Sequence, residues 1–295
     1  MTNQSDTPRF EFGKNWSRFV KRRFSPERAA AAKKHLLEFM KRDSLEGLDF
    51  LDVGCGSGLH SLAAFGSGAG RLHSFDYDPN SVAATTALRE KAGRPENWVV
   101  EQGDALDAEY IAKLGKWNFV YSWGVLHHTG SMWQAIRNVQ GAVADGGLFY
   151  LALYSADADF QPSKEFWIEI KKEYNRVSPT TRRLMALWYV WRFDLLQDIR
   201  NVPKFIRKLI DYKFQRGMSV FVDIHDWIGG WPMEYAGDQE TVDILEGEYG
   251  FELINVSTGH ACSEFLFKRT GVLGKKTNVK EMVAQISDKT SNAPG

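Results

Sequence analysis

Three glycines spaced two apart, Gly54, Gly56 and Gly58, lie in the run Leu51-Asp52-Val53-Gly54-Cys55-Gly56-Ser57-Gly58, after an apolar stretch and before a helical one. Such a turn lets backbone N–H groups approach a ligand without interference from Cβ atoms, at the start of the following helix. It also serves plain strand-to-helix packing, so the turn alone decides little. A dinucleotide fingerprint needs its third glycine at position 59, which is Leu, so the spacing is G-x-G-x-G and NAD fits it less well. Two carboxylates at the ends of later strand-like runs sharpen the reading. Asp76 closes RLHSFD, where a carboxylate accepts from two vicinal ribose hydroxyls. Asp104, after EQG, can accept from an exocyclic adenine amine. One nucleoside-shaped ligand would reach all of these positions at the carboxyl ends of parallel strands.

The elements that must hold these residues alternate. Apolar runs LDFLDVG, RLHSFD, NWVVEQ, WNFVYSW and GLFYLALY are separated by helical stretches such as 79–92 and 132–144. Alternation of this kind predicts an α/β fold, a parallel sheet wrapped by helices. Ser25 before Pro26 signals a helix running to Met40. After Tyr154 the texture changes to a Trp-, Arg- and Lys-rich stretch, and only then do a helix over 239–249 and the strands FELINVST and SEFLFKR resume the pattern. The chain therefore divides into an N-terminal arm and helix (1–47, of which 1–13 reads as loose), a core (48–154), a helical cap inserted at 155–237, the end of the core (238–270) and a flexible tail (271–295).

Composition removes several classes of function. Lys and Arg number 37 and Asp and Glu 37, so the global positive field of a dedicated nucleic-acid binder is missing. The 43% hydrophobic and 25% charged fractions are those of a globular chain rather than a disordered one. Cys55 and Cys262 form no C-x-x-C pair, which points away from a zinc site or disulfide framework and toward a reducing cytoplasm. No metal is called for. The first residues lack an apolar signal core, and no run reaches the roughly 18 apolar residues of a membrane span.

Taken together, LDVGCGSG, FDYDPNSV, EQGDALD, NFVYSWGVLHHT and DGGLFYLALY resemble, in this order, the class I S-adenosylmethionine-dependent methyltransferases, in the branch similar to the ubiquinone-pathway O-methyltransferases. The resemblance implies a Rossmann-like doubly wound sheet, mostly parallel with an antiparallel last strand. It implies S-adenosylmethionine as cofactor and S-adenosylhomocysteine as product. Gly54, Gly56 and Gly58 would line the methionine part, Asp76 the ribose, Asp104 the adenine, with Tyr77 beside the ring and Asp52, Ala105 and Trp123 on the neighbouring strand ends. The resemblance covers 48–154 and 238–269 and says little about the acceptor.

Methyl transfer from a sulfonium is an in-line displacement, so positioning in a dry pocket supplies most of the acceleration. For a hydroxyl or thiol acceptor a base helps, and His127 or His128 after the fourth strand is one candidate. The cap offers another cluster, Asp223 to Tyr235, which reads as a loop over the active site. There His225 with Asp226 or Asp223 would form an oriented base, and Trp227, Trp231, Glu234 and Tyr154 would hold the acceptor. The same carboxylates could instead cap helices. In the arm, Trp16 is an aromatic lid and Arg18 a partner for the cofactor's carboxylate, or a solvated charge.

Three functions compete. An enzyme methylating a small-molecule or glycan-type acceptor under the cap leads, with no stable nucleic-acid partner. An RNA or protein methylase would use two basic stretches, Lys14 to Arg42 and Lys164 to Arg216. Against methylation of an exocyclic amine, the fourth strand ends in Tyr121-Ser122-Trp123-Gly124 rather than an Asp/Asn-Pro-Pro-aromatic run. The third is a module that binds the cofactor without turnover.

Overall fold

The structure is a computed structural model describing residues 7–215, 220–259 and 261–291. Parts of the expected loose arm (1–6) and of the expected tail (292–295) lie outside the described residues, as does Arg216 of the second basic stretch. Two helices, α1 (Gly13–Arg23) and α2 (Pro26–Met40), precede a layered core. The core runs β1 (Phe50–Val53), α3 (Leu59–Phe65), β2 (Leu72–Asp76), α4 (Pro79–Lys91), β3 (Trp98–Gln102), α5 (Ala108–Lys113), β4 (Trp117–Trp123), α6 (Met132–Gln140) and β5 (Val143–Tyr154). Four cap helices follow: α7 (Lys164–Arg176), α8 (Pro179–Tyr189), α9 (Val202–Gln215) and α10 (Val220–Gly229). Then α11 (Asp238–Tyr249), β6 (Phe251–Ser257) and β7 (Cys262–Arg269) complete the sheet, and α12 (Val279–Ser291) closes the described chain.

Among the described residues the strands form one sheet in the order β3-β2-β1-β4-β5-β7-β6. The pairs from β3 to β5 are parallel, and β7 runs antiparallel between β5 and β6. This is the doubly wound sheet with its last strand reversed. Strand periodicity explains why both faces are covered: on β4, Phe119 and Tyr121 face one core with Leu36 and Met40 of α2, while Val120 faces another with Ile136 and Val139 of α6. The order of connection reverses between β1 and β4, and that crevice is where such sheets bind ligands.

Four expectations are corrected. The stretch read as a loop over 223–235 begins as α10: Val220, Ile224 and Ile228 fall at i, i+4 and i+8 and are buried in the cap core with Trp167 and Tyr174. The 3.6-residue period prevails, and the Gly229-Gly230 pair only ends the helix. The tail read as flexible contains α12, whose Val279, Met282, Val283 and Ile286 form one apolar stripe against the main core. In the arm read as loose, Phe10 N–H donates to the Trp231 carbonyl at 2.9 Å and its ring meets Phe12 at 4.8 Å, so aromatic burial fixes this segment. The helix expected over 132–144 stops at Gln140, and Val143 already pairs with Trp117 in the sheet.

The cap leaves and rejoins the core at one place. Ser155 bridges Ala236, Ala236 N–H donates to Tyr154 O at 3.0 Å, and Ala156 N–H donates to Ala236 O at 2.7 Å. Ser155 Oγ also donates to Asp238 at 2.8 Å, fixing the start of α11.

Candidate cofactor and active site

The turn after β1 takes the shape its glycines permit. Gly54, Gly56 and Gly58 have φ of +78°, +53° and +80°, in the left-handed region that side-chain-bearing residues avoid. A Cβ at residue 56 would lie 3.3 Å from Nε1 of Trp16, so α1 lays an indole directly over the turn. A Cβ at residue 54 would lie 2.3 Å from Val125 of the β4 loop. Gly58 differs: its missing Cβ makes room for Thr85 of α4, which gives it a helix-packing role, and it does not line the cavity.

Asp76 at the end of β2 is held on both oxygens. Oδ2 accepts from Gly56 N–H and Oδ1 from Asp78 N–H, each at 2.9 Å. Ser81 bonds to the carboxylate as well, so of its about four acceptor sites at least one stays open to a ribose hydroxyl. Burial raises its pKa to about 6, with Asp78 adding to the rise and the two N–H bonds opposing it. Asp52 is more deeply buried, its pKa pushed up to about 7 by desolvation although it accepts from Ser61 Oγ. Asp104 accepts from Leu106 N–H at 2.9 Å, which turns the chain after β3.

These groups open on one cavity of about 1180 Å³. Trp16, Asp52, Gly54, Gly56, Asp76, Tyr77, Asp104, Ala105 and Trp123 line it near the sheet, and His127, His128, Tyr154, Asp226 and Trp227 line it toward the cap. Besides Gly58, four expected residues are not on its wall. Arg18 is exposed, 3.5 Å from Asn15. His225 Nδ1 is bonded to the Tyr174 hydroxyl at 2.5 Å on the side of α10 away from the cavity wall. Trp231 is buried against Lys172 and receives the Phe10 N–H. Glu234 accepts from Met132 N–H at 2.8 Å and so caps α6, the structural alternative for this carboxylate.

The two adjacent histidines are set in opposite tautomers. His128 Nδ1 lies 2.8 Å from the Pro232 carbonyl, which can only accept, so this nitrogen carries the proton and Nε2 is the basic one. His127 Nδ1 instead accepts from Tyr154 N–H at 3.3 Å, leaving a protonated Nε2 that is buried without a bonded partner among the described residues. Burial pushes the pKa of His128 down to about 3 and that of His127 well below its usual value. Asp226 behaves oppositely. Burial raises it to about 7, with Asp223 adding to the rise, while a 2.5 Å bond from Asn15 Nδ2 and the charge of Lys171 oppose it.

Several wall residues had no sign in the sequence reading. Arg9 places its guanidinium 4.7 Å from the Tyr77 ring centroid and donates to Thr129 O, so the arginine at the cavity is Arg9 rather than Arg18. Phe12 sits 5.0 Å from the His128 ring. His60, Tyr121 and Glu264 line the wall beside Trp123, whose indole bonds to Glu264. Tyr121 was findable, since it lies two residues before Trp123 on the same strand face. Arg9 and Phe12 carried no periodic or spacing signal. Among the described residues no group of three or more His, Cys, Asp or Glu side chains is arranged to hold a metal ion, and no helix is long and apolar enough to cross a membrane.

Comparison with known proteins agrees with this geometry. The profile described as "Methyltransferase domain" matches residues 17–212, from α1 into the cap. A ubiquinone biosynthesis O-methyltransferase of Methylobacterium sp. (strain 4-46) is 29% identical over 140 residues, 45% of this chain and 53% of that protein. A tRNA U34 carboxymethyltransferase of Ectopseudomonas mendocina is 33% identical over 115 residues, 39% of this chain and 35% of that protein. The chain thus spans about half, or about a third, of the length of these curated relatives. Among solved structures, the magnesium protoporphyrin IX methyltransferase of Synechocystis PCC 6803 with bound SAH aligns over 90% of this chain and 91% of its own, at 14% identity and a TM-score of 0.47. With the family profile matching most of its length, the chain belongs to the methyltransferase-domain family.

Proposed function

We propose that the chain transfers a methyl group from S-adenosylmethionine to a small-molecule or glycan-type acceptor enclosed beneath the cap. The supporting observation is that Asp76 and the glycine turn share one cavity with Asp226 and Trp227 of α10. At about 1180 Å³ this cavity exceeds the ~300–1,000 Å³ of a usual single-ligand site, leaving room for cofactor and acceptor together. The residues suit the cofactor: Asp76 lines the cavity with acceptor capacity beyond its bonds to Gly56, Asp78 and Ser81, and Trp16 covers the glycine turn. When bound, S-adenosylmethionine supplies an electrophilic methyl group on a sulfonium.

The residues of the chain then position the acceptor and take its proton. Asp226, with a pKa near 7, is better matched to neutral operation than His128 near 3, so Asp226 is the base in this reading. His128 presents Nε2 as a neutral hydrogen-bond acceptor that orients a hydroxyl. Tyr154 and Trp227 offer the aromatic faces against which a sugar or other small acceptor stacks. Neither cysteine is in a disulfide, which suits a reducing compartment, and we place the reaction in the cytoplasm.

RNA as acceptor is the second reading, favoured by the similarity to the tRNA U34 carboxymethyltransferase. Incubating the protein with methyl-labelled S-adenosylmethionine and cell extract, then separating small-molecule, lipid, protein and RNA fractions, tests both. Label in the small-molecule or lipid fraction supports enclosure under the cap, and label in RNA replaces it with the second reading. Failure of S-adenosylmethionine to bind at micromolar concentration in calorimetry removes both.

A further inference from the structure

Residues 183–209 of the cap carry apolar side chains on two faces. On α8 and its π-helical continuation (Val190–Asp194), Met185, Tyr189 and Phe193 pack inward on the cap core. On the opposite side Leu184, Leu187 and Trp191, spaced i, i+3 and i+7, are 60%, 58% and 43% exposed. The pattern recurs across the following turn. Phe205 and Leu209 of α9 pack inward, whereas Ile199, Val202 and Ile206, again at i, i+3 and i+7, are 72%, 38% and 50% exposed. A surface helix ordinarily has one apolar stripe turned to its core. Here a second pair of stripes faces outward, and exposed apolar surface on this scale marks an interaction site.

Charge identifies the partner. The same stretch holds Arg183, Arg192, Arg200, Lys204, Arg207 and Lys208 against only Asp194 and Asp198. Both carboxylates are already engaged, Asp194 by Lys208 and Asp198 by Arg200. Arg183, Arg192, Lys204 and Arg207 are exposed. A second copy of this face would set these cations against one another across a two-fold interface. RNA would satisfy the cations but gain nothing from Leu and Ile side chains, since single strands stack on aromatic rings. A bilayer surface satisfies both, taking aliphatic side chains between its headgroups and cations at its phosphates.

We propose that the outer face of α8, α9 and the turn between them docks on the surface of a bilayer containing anionic phospholipid, without spanning it. The helices are 11 and 14 residues long, and no helix among the described residues can cross a membrane. The inference goes beyond methyl transfer and holds for any acceptor. It also places the cavity close to lipid, because α8 and α9 contribute Tyr189 and Lys208 to its wall.

The test is sedimentation of the full chain with vesicles of phosphatidylcholine alone and of equimolar phosphatidylcholine and phosphatidylglycerol, without cofactor. Binding to the mixed vesicles is expected to be at least about tenfold tighter than to phosphatidylcholine alone, and to weaken as salt rises. The double variants Leu187→Glu/Trp191→Glu and Lys204→Glu/Arg207→Glu, none of which touches the cavity, should each lose about tenfold or more while S-adenosylmethionine binding and thermal midpoint stay unchanged. Absence of binding to anionic vesicles at low salt overturns the proposal for the unaltered protein, whatever the variants do. So does vesicle binding indifferent to both double variants when these remain folded, or a concentration-dependent dimer abolished by Leu187→Glu/Trp191→Glu in place of vesicle binding.

Discussion

His128 donates its Nδ1–H to the Pro232 carbonyl over 2.8 Å, joining the loop after β4 to the chain that leaves the cap. The bond fixes Nε2 as the ring nitrogen with a lone pair, which in the proposed reaction faces the acceptor. His128→Ala is expected to lower turnover by about 10–100-fold through lost orientation, with cofactor affinity unchanged in calorimetry. His128→Asn, which keeps a donor for Pro232, should recover part of the loss if the bond positions the loop.

Asp226 and His225 are neighbours in sequence with different surroundings, one on the cavity wall and one bonded to Tyr174. Asp226→Asn should cut kcat by about 100-fold or more and remove an acid limb near pH 7 from the rate profile, since the carboxylate acts as base only when ionised above its pKa of about 7. His225→Ala should leave that limb in place. Stopped assays from pH 5.5 to 8.5 would show the contrast, and an unchanged limb in Asp226→Asn would assign the base elsewhere.

Replacing Asp76 by Ala removes a charged acceptor and should weaken cofactor binding by about 1.5–3 kcal/mol. Its pKa of about 6 gives the binding a pH dependence of defined sign. Ionised Asp76 accepts from the diol, so affinity falls as pH drops through 6, approaching about tenfold per unit, and Asp76→Asn flattens the curve. Stability of the free protein moves the other way. A carboxylate whose folded pKa is raised from 3.8 favours the folded state most below the unfolded value, and this advantage is lost as pH rises through 6. Buried neutral histidines such as His127 oppose this trend, so the effect is read as the difference between the unaltered protein and Asp76→Asn in thermal melts.

At Gly54 the backbone has φ +78° and a Cβ would strike Val125. Gly54→Ala should destabilise by about 1–2 kcal/mol from the left-handed backbone and by a further ~1–3 kcal/mol from overpacking. Denaturant unfolding measures the sum. Adding Val125→Ala should relieve only the second part, since the backbone strain stays.

Legibility in the sequence followed the periodic residues. The alternation of Phe119, Val120 and Tyr121 between two cores is a period-2 signal, and Asp76 and Asp104 close strands that this signal locates. The cavity wall drawn from those strand ends was therefore readable. Gly58 was ambiguous because packing and ligand approach both require glycine at a left-handed turn, and the packing partner, Thr85, is distant in sequence. Glu234 and His225 were read from residue type alone, and their partners, Met132 N–H and the Tyr174 hydroxyl, lie 102 and 51 residues away. Arg9 reaches Thr129 across 120 residues for the same reason, and no local pattern encodes such a contact.

The insertion between β5 and α11 begins at Ser155 and returns at Ala236, and these two residues bridge each other. Bridged strands lie only ~5 Å apart, so any segment whose ends meet at that spacing fits the same gap for little more than its loop-closure entropy. The sheet on either side is indifferent to what is inserted. If the cap encloses the acceptor as proposed, that part of the molecule is exchangeable as a unit, and a lineage can change substrate by replacing one cassette while the strands of the sheet keep their order.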